Sequence, residues 1–365
     1  MTKAAELAKM GEVLTNSQIG GRRKIIINGA MQVAQRGTSS TGVGAADGYF
    51  TCDRWGVYQG GTAGRLTMTQ DSSAPSGFAN SLKLDCTTAD TSIASGEYFA
   101  ITQRLEGQDV QQIKKGTSDA ENITVSFYVK GNASATYAVE LFDNDNTRQA
   151  SQLFSVTTDW TRVVKTFTAD TTGAFDDDNA QSLELNFWIH AGSNLTSGTL
   201  NQTFDANDNA NRAVGISSFF DSTDRTFFLT GVQLEVGSQA TPFEHRSFGE
   251  EKQLCKRYYH HIQGTAQTMI AKGLAYDARA GLFNIDLPTS MRAAYSLTHS
   301  GVSTLRWVHN ANAHVVASSI GLNDSTSLDI AGLYMQHANN VTTVGYACGL
   351  SLIDANAYIA FDAEL

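Results

Sequence analysis

Three acidic runs offer the densest clusters of side chains that could do chemistry. They are Asp143–Asn146, Asp176–Asn179 and Asp205–Asn209. Clustered oxygens are what calcium requires, but none of these runs has the full spacing of an EF-hand loop. Asx side chains between strands also bond their own backbone in turns. We therefore predict no cofactor, with a structural calcium ion as the alternative.

The histidines and glutamates show no catalytic or metal-binding pattern. Seven histidines are too scattered for an H-x-x-x-H pair, namely His245, His260, His261, His299, His309, His314 and His337. His260 and His261 are expected on different faces of a helix. G-x-S-x-G and P-loop motifs are absent. Glu97, Glu140 and Glu184 occur singly in strand-like runs, and the sequence does not tell whether two of them meet as glycoside hydrolysis requires. We predict that the protein is not an enzyme.

Aromatic rings provide flat faces that suit the C–H face of a sugar ring. The candidates are Trp55, Tyr58, Tyr98, Trp160, Trp188, Tyr276, Trp307 and Tyr334. Most are expected in the core, including Trp188, which lies between Phe187 and Ile189. Tyr58 and Tyr334 are predicted in loops, so they are the better candidates for contact with a ligand.

Two polar segments near the C-terminus combine hydrogen-bonding groups with a nearby ring. Residues 321–327 and 336–340 are predicted loops, and Tyr334 lies between them. We predict that Tyr334, Asn323, Asp324, His337 and Asn339 are the residues that contact a ligand, such as a receptor. Ordinary strand connections are the alternative reading of both segments.

The N-terminus has the pattern of a short amphipathic helix. Leu7, Met10 and Leu14 fall on one stripe of residues 2–15, with charged residues elsewhere. A helix of about 14 residues is marginal alone in water, so the stripe is expected to bind a partner. A frayed tail is the alternative.

Composition and strand patterns predict an all-β protein with two main domains. The 365 residues include 32 Gly but only 3 Pro, which suits strands joined by Gly and Asx turns. Residues 23–248 carry many short alternating runs, which predict a jelly-roll β-sandwich. After a helical segment near Phe248 to Ile262, further strands predict a smaller C-terminal β-sandwich within 249–365. Expected strands include Lys24–Ile27, Ile123–Val129, Ser182–Ile189, the closing strand from Phe227, and Val341–Tyr346.

Charge and hydrophobicity limit the expected classes of partner, and cysteine spacing indicates the state of the thiols. The net charge is −10, which disfavours a grip on nucleic-acid phosphates. No apolar run is long enough to span a membrane, and no signal-peptide pattern is present, so we expect assembly in the cytoplasm of the producing cell. Four widely spaced cysteines are predicted to be reduced core residues, with a bridge between Cys52 and Cys86 as the exception.

Several segments follow one another in order along residues 24 to 260. They are NGAMQVAQRGT from Asn28, YFTCDRW from Tyr49, QRLEG from Gln103, SFYVK from Ser126, LTGVQLEVG from Leu229, ATPFEHRS from Ala240 and CKRYY from Cys255. These segments resemble tail-fibre and receptor-binding proteins of tailed bacteriophages, especially phages of marine bacteria. The resemblance implies a virion tail-fibre subunit that adheres to the host cell through a surface glycan or an outer-membrane receptor.

The same resemblance implies an organisation for the fibre. Residues 1–22, with Leu7, Met10 and Leu14, would attach to phage tail or adaptor proteins, and the C-terminal tip would contact the host. A homotrimer is expected, because a predicted stripe of Leu254, Tyr258 and His261 leaves apolar surface on a lone subunit. The protein is expected to be neither membrane-embedded nor bound to nucleic acid. The alternatives are a head or tail decoration protein with a purely structural role, and a glycan-degrading tailspike.

Overall fold

A computed structural model describes residues 3–4, 25–309 and 313–365. The chain divides into a first unit, Met1–Glu251 with Leu365, and a second unit, Lys252–Glu364. The described residues form an almost entirely antiparallel β structure, which confirms the predicted fold class. The predicted attachment residues Leu7, Met10 and Leu14 lie outside the described residues.

The first unit contains thirteen strands among its described residues, and alternating apolar and polar residues explain most of them. They are β1 (Ser39–Val43), β2 (Gly48–Tyr49), β3 (Gly56–Gly60), β4 (Arg65–Asp71), β5 (Ser81–Thr88), β6 (Tyr98–Glu106), β7 (Ile123–Gly131), β8 (Ala135–Asp143), β9 (Arg148–Val156), β10 (Thr161–Phe167), β11 (Gln181–Ala191), β12 (Asp205–Ala206) and β13 (Thr226–Val236). Helices α1 (Gly107–Val110) and α2 (Ser193–Thr196) and short 3-10 turns Gln111–Ile113, Asn209–Asn211 and Phe219–Asp221 lie between strands.

Two sheets of the first unit face each other as a jelly-roll β-sandwich. One sheet has the order β1-β4-β5-β13-β7-β10, and the other has the order β12-β9-β8-β11-β6-β3-β2. Their inner faces share one apolar core, in which Phe127 of one sheet packs edge-on against Phe154 and Phe187 of the other. In the second sheet, the side chains that alternate with these core residues point to the outer face, away from the core.

The second unit begins within helix α3 (Phe248–Lys256) and contains a second β-sandwich. Its strands are β14 (Tyr259–Gln263), β15 (Met269–Ala275), β16 (Ala280–Asp286), β17 (Ser296–His299), β18 (Leu305–His309), β19 (Ala313–Val316), β20 (Ser319–Leu322), β21 (Ile330–Gln336), β22 (Ala347–Leu352) and β23 (Tyr358–Asp362), with a 3-10 turn at Val302–Thr304. The sheets β14-β23-β17 and β19-β18-β22-β15-β16-β21-β20 share an apolar core that includes Phe283, Trp307 and Phe361.

The predicted helix from Phe248 to Ile262 is wrong in its second half. The helix ends at Lys256, and Tyr259–Gln263 pairs antiparallel with β23. Aromatic and β-branched side chains lose rotamer freedom in a helix but pack well in a strand, so the sequence Tyr-Tyr-His-His-Ile favours the sheet. His260 and His261 therefore alternate across a strand, and the predicted helical stripe of Leu254, Tyr258 and His261 does not form.

Two other predicted strands are also wrong. Residues 341–346 form a turn, in which Gly345 has a φ of +83°, a left-handed conformation that interrupts a strand. Of the predicted strand Lys24–Ile27, Lys24 lies outside the described residues, and Ile25–Ile27 are buried but form no strand. Ile25 N donates to Leu234 O at 3.2 Å, but Ile27 N donates to the Gln103 side chain at 2.9 Å, so the backbone pairing does not continue. Tyr58 and Tyr334, predicted in loops, lie in strands β3 and β21.

The cysteines occupy the interior as predicted. Cys52, Cys86, Cys255 and Cys348 are all buried with free thiols. Trp188 is also fully buried, as its apolar neighbours predicted. Among the described residues, no helix is long and apolar enough to cross a membrane.

Candidate functional site

The outer face of the seven-stranded sheet of the first unit has a floor of polar and aromatic side chains. Val139 and Leu141 of β8 point into the sandwich core, so Ala138 and Glu140 point to the outer face. The same alternation places Tyr98 and Thr102 of β6 and Trp188 of β11 there. The outer-facing side chains divide into a polar half and an aromatic half.

A polar row crosses four neighbouring strands in register. Thr102 lies opposite Asn186, Asn186 lies opposite Glu140, and Glu140 lies opposite Ser151. All four side chains are buried. Thr102 Oγ1, Asn186 Oδ1 and Ser151 Oγ have no hydrogen-bond partner among the described residues. Buried polar atoms are normally paired, so these three atoms need a water or ligand partner.

Glu140 and Arg212 fix the segment that follows β11 against this face. Arg212 Nε and Nη2 each donate to Glu140 at 2.8 Å, and Trp188 Nε1 donates to the same carboxylate at 2.9 Å. The guanidinium also lies over the rings of Phe142 and Trp188. Burial alone would lower the pKa of Arg212, but the Glu140 carboxylate outweighs burial and raises it. Arg212 therefore stays charged, and its two bonds to Glu140 give the pair a structural role.

Tyr58, Tyr98 and Trp188 form the aromatic half of the face. The ring centroids of Tyr58 and Tyr98 lie 4.8 Å apart, and both rings lie about 6 Å from Trp188. Trp188 is fully buried, whereas both tyrosines are partly exposed. Gly60 is required here, because a Cβ on it would meet the Tyr98 ring at 2.2 Å. Burial and the neighbouring Tyr58 raise the pKa of Tyr98, so its hydroxyl stays protonated at neutral pH.

The outer face brings together two of the three glutamates that the sequence singled out. Asn186 Nδ2 donates to Glu140 and to Glu184 at 3.0 Å each, so the two accepting oxygens lie at most about 6 Å apart, near the separation found in glycosidases. Glu140, however, is fully buried and its carboxylate already accepts from Arg212, Trp188 and Asn186. A carboxylate held in this way is not available as a nucleophile or as a proton donor.

The predicted receptor-binding residues gather around the hairpin of β20 and β21. Tyr334 pairs with Gly321, and its hydroxyl accepts from Gln336 Nε2 at 2.8 Å. Asn323 Oδ1 accepts from Ser325 N at 2.8 Å and so shapes the loop that it begins.

Of the three other predicted contact residues, Asp324 is exposed in the loop between β20 and β21. His337 and Asn339 lie beyond the opposite end of β21, where Asn339 N donates to His337 Nδ1 at 3.1 Å. The structure thus assigns local turn bonds to Asn323, His337 and Asn339. Tyr334 has an aromatic neighbour in Tyr276, with ring centroids 6.3 Å apart, and Tyr276 is 58% exposed.

The three acidic runs also form bonds within the chain. Asp143 and Asp170 both bind the buried ammonium of Lys115, at 2.5 and 3.1 Å, and Thr172 O and Gly173 O accept from the same ammonium. The Asp143 carboxylate is therefore compensated by a cation of the chain itself.

The two remaining runs are held by backbone donors. Asp178 accepts from Ala180 N, and Asp208 accepts from Ala210 N, as Asx turns do. Within the described part of the chain, no three carboxylates of these runs come together as a group that could hold a metal ion. The calcium alternative stays a prediction.

The sequence signalled the rings of this face but not its polar row. Tyr58, Tyr98 and Trp188 stood among the aromatic candidates. Thr102 and Asn186 carry no motif, and they are 84 residues apart in the chain. Only the pairing of β6 with β11 brings them together. Strand register was the missing information, because a period of two residues does not specify which strands are neighbours.

Comparisons with known proteins yield distant structural similarities. No protein-family model matches the chain, and no curated protein matches it. Solved structures similar to it include a xylan-binding domain from Paenibacillus barcinonensis (11% identity, TM-score 0.29, covering 60% of this chain and 100% of that one). A family 30 carbohydrate-binding module has 11% identity and a TM-score of 0.31, with 62% and 93% covered. A putative sugar-binding protein from Bacteroides thetaiotaomicron has 12% identity and a TM-score of 0.30, with 59% and 100% covered. TM-scores and identities this low establish neither a common ligand nor a common family.

Proposed function

We propose that this protein is a non-catalytic tail-fibre subunit of a phage virion. We also propose that the outer face of the seven-stranded sheet in its first unit binds a glycan of the host surface. The observation that carries the glycan site is the pair of partly exposed tyrosine rings, Tyr58 and Tyr98, whose centroids lie 4.8 Å apart. Sugars present apolar C–H faces, which stack on such rings. Thr102 Oγ1 and Asn186 Oδ1 are buried beneath the face and suit an internal water rather than a glycan.

The fibre assignment rests on the phage-like segments in the sequence. In such a fibre, residues 1–22 attach to tail or adaptor proteins, and several identical subunits display the same face. Individual contacts of millimolar affinity then add up to tight adhesion, because each further contact forms at a high effective concentration. The net charge of −10 disfavours electrostatic attraction to anionic surfaces. Recognition then depends on shape, hydrogen bonds and stacked rings.

A second contact site in the second unit is supported by one specific observation. Tyr276 and Tyr334 form an edge-on ring pair, with Tyr276 largely exposed. This pair lies beside the hairpin that carries Asn323 and Asp324. The residues predicted from the sequence therefore remain the alternative receptor contact, and the same experiment separates the two sites.

The test is binding of the full chain to host cells and to a glycan array. We expect Tyr58→Ala and Tyr98→Ala to weaken binding at least about tenfold, since losing about 1.4 kcal/mol of ring contact is a factor of ten. Tyr58→Phe, which keeps the ring, should bind nearly as well as the unchanged chain.

Tyr128→Ala is the matched control, because Tyr128 is a partly exposed tyrosine on β7, in the other sheet of the first unit. Loss of binding in Tyr334→Ala but not in Tyr58→Ala, with the mass by light scattering unchanged, would move the receptor contact to the second unit. Release of reducing ends from the bound glycan would contradict the non-catalytic assignment. Binding by none of these routes would favour a purely structural decoration protein.

A further inference from the structure

Three side chains that the sequence does not connect converge at one end of the first sandwich. Asp90, Glu97 and His190 each offer one ligand atom, and all three atoms lie within 4.8 Å of one another. Asp90 follows β5, Glu97 immediately precedes β6, and His190 lies near the end of β11. Strand β5 belongs to one sheet, and β6 and β11 belong to the other. The cluster therefore spans both layers of the sandwich.

His190 supplies a second, independent observation. Its side chain is fully buried, and Nε2 has no hydrogen-bond partner among the described residues. Asp90 Oδ2 lies 3.9 Å from this nitrogen, beyond hydrogen-bonding distance. On the other side of the ring, Nδ1 is 2.8 Å from Ser218 Oγ. When Nδ1 carries the proton and donates to Ser218, Nε2 carries a lone pair and lies 3.9 Å from Asp90 Oδ2.

The ring is thus oriented as a metal ligand is. Histidines that bind metals usually donate their other ring N–H to a neighbouring acceptor, which fixes the tautomer and the ring plane. Here Ser218 is that neighbour, and its hydroxyl oxygen also accepts from Phe220 N at 3.1 Å. The hydroxyl is held in place by the backbone of the turn that follows it.

The carboxylates are also held by the surrounding backbone. Asp90 Oδ2 accepts from Thr62 Oγ1 at 2.8 Å and from Ala63 N at 2.9 Å, and Glu97 Oε2 accepts from Ala94 N at 2.7 Å. No lysine or arginine forms an ion pair with Asp90 or Glu97 in the described part of the chain. Two carboxylates and an unpaired imidazole nitrogen without such a counter-ion are the environment that a divalent cation neutralises.

We propose that Asp90, Glu97 and His190 bind a zinc ion that links the two sheets of the first sandwich. Calcium takes six to eight oxygen ligands, whereas an imidazole nitrogen with two carboxylates suits zinc. Two ligand atoms about 2.0 to 2.1 Å from a tetrahedral zinc ion are about 3.4 Å apart, so the 3.9 Å between Asp90 and His190 closes with a small side-chain movement. Three protein ligands leave one position for water.

The proposed role of the zinc ion is structural. A zinc ion would tie the ends of β5, β6 and β11 together, so binding to the folded chain alone raises the unfolding temperature by mass action. The full chain is stripped with a chelator, dialysed, and titrated with Zn²⁺ by calorimetry. We expect one zinc ion per chain and a higher melting temperature with zinc than with chelator.

Glu97→Gln is the decisive variant, because Glu97 is only partly buried and the amide oxygen can still accept from Ala94 N. We expect its zinc affinity to fall more than about tenfold, since changes to groups outside the ligand set already cost that much. His190→Asn should lose the site as well, with circular dichroism reporting whether that chain folds. His245→Ala, which removes an exposed histidine, controls for surface binding and should behave like the unchanged chain.

Three results would overturn the proposal. The first is that the stripped full chain binds no zinc. The second is that Glu97→Gln binds zinc as tightly as the unchanged chain. The third is that Ca²⁺, and not Zn²⁺, raises the melting temperature in a manner that depends on Glu97.

Discussion

Arg212 stabilises the first unit by pairing with the buried carboxylate of Glu140. Removing the arginine would leave a buried charge without a partner. Arg212→Met would leave Glu140, which is fully buried, without its cation. Breaking a buried pair in this way costs about 3–5 kcal/mol. We expect a loss of that size in the free energy of unfolding, measured by urea denaturation.

Two comparisons make this prediction specific to the buried pair. Arg225→Ala breaks an ion pair with Asp221 whose partners are 23% and 42% exposed, and it should cost less than about 1 kcal/mol. The double variant Glu140→Gln with Arg212→Met removes both charges and should recover part of the stability. Equal losses in Arg212→Met and Arg225→Ala would contradict the structural role of the pair.

The thiols give a pH-dependent prediction at the same scale. Burial raises the pKa of Cys86 from 9.0 to about 11, and burial also raises the pKa of Cys348. Because the thiolate is the reactive form, the folded chain should label very slowly with a thiol reagent at pH 8 and show four thiols once denatured. Rapid labelling of the folded chain would contradict the buried positions.

The sign of the linked stability change follows from the Cys86 shift. Between about pH 9 and 11 the unfolded chain releases the Cys86 proton while the folded chain retains it. The unfolded state therefore binds fewer protons, and the free energy of unfolding falls as the pH rises through this window. Cys86→Ala should remove that part of the alkaline slope.

The sequence predicted the burial of single residues better than it predicted which residues are neighbours in space. Burial of Trp188 and of the four cysteines followed from their apolar surroundings and chemistry. The sequence did not predict that Asn186 lies opposite Thr102 or that His190 lies near Asp90. The two residues of each pair are far apart in the chain. Long-range strand pairing leaves no local pattern in a single sequence.

At the scale of elements, helix α3 begins with a capping box. Ser247 Oγ accepts from Glu250 N at 3.3 Å, and Glu250 Oε2 accepts from Ser247 N at 2.9 Å. The reciprocal bonds satisfy two backbone donors that the first helical turn would otherwise leave unpaired. We expect Ser247→Ala to cost about 1 kcal/mol in the free energy of unfolding.

Ser247→Thr keeps a hydroxyl at the cap and is the matched control for this prediction. Its stability, measured in the same denaturation experiment, should lie close to that of the unchanged chain. A Thr variant as unstable as the Ala variant would show that the cap hydroxyl is not responsible for the loss.

Strand predictions succeeded where alternation was regular and failed where local chemistry intervened. Residues 123–129 and 182–189 lie within β7 and β11 as expected. Gly345, with its left-handed conformation, turned the expected strand at 341–346 into a turn. The end of helix α3 was missed because the helical spacing of Leu254, Tyr258 and His261 was given more weight than the strand preference of Tyr259–Gln263, which pairs with β23.

At the scale of the whole molecule, the expected homotrimer depends on apolar surface that one chain leaves uncovered. Several apolar side chains of the second unit are about half exposed or more, namely Met269 (51%), Leu274 (49%), Tyr276 (58%), Val344 (63%) and Tyr346 (50%). Leu274 lies opposite Leu282, which lies opposite Tyr334. An apolar row therefore crosses the outer face of the seven-stranded sheet of the second unit. Contiguous exposed apolar surface of this kind marks interaction sites.

We predict that this row contributes to the contact between three identical chains, in keeping with the resemblance to trimeric fibres. Light scattering at micromolar concentration should give the mass of about three chains, and Leu274→Glu should lower that mass because a charge would be buried at the contact. Val164→Glu is the control, since Val164 is 45% exposed on β10 of the first unit and should leave the mass unchanged. A monomeric unchanged chain would rule out the trimer, and a trimeric Leu274→Glu chain would move the contact to another surface.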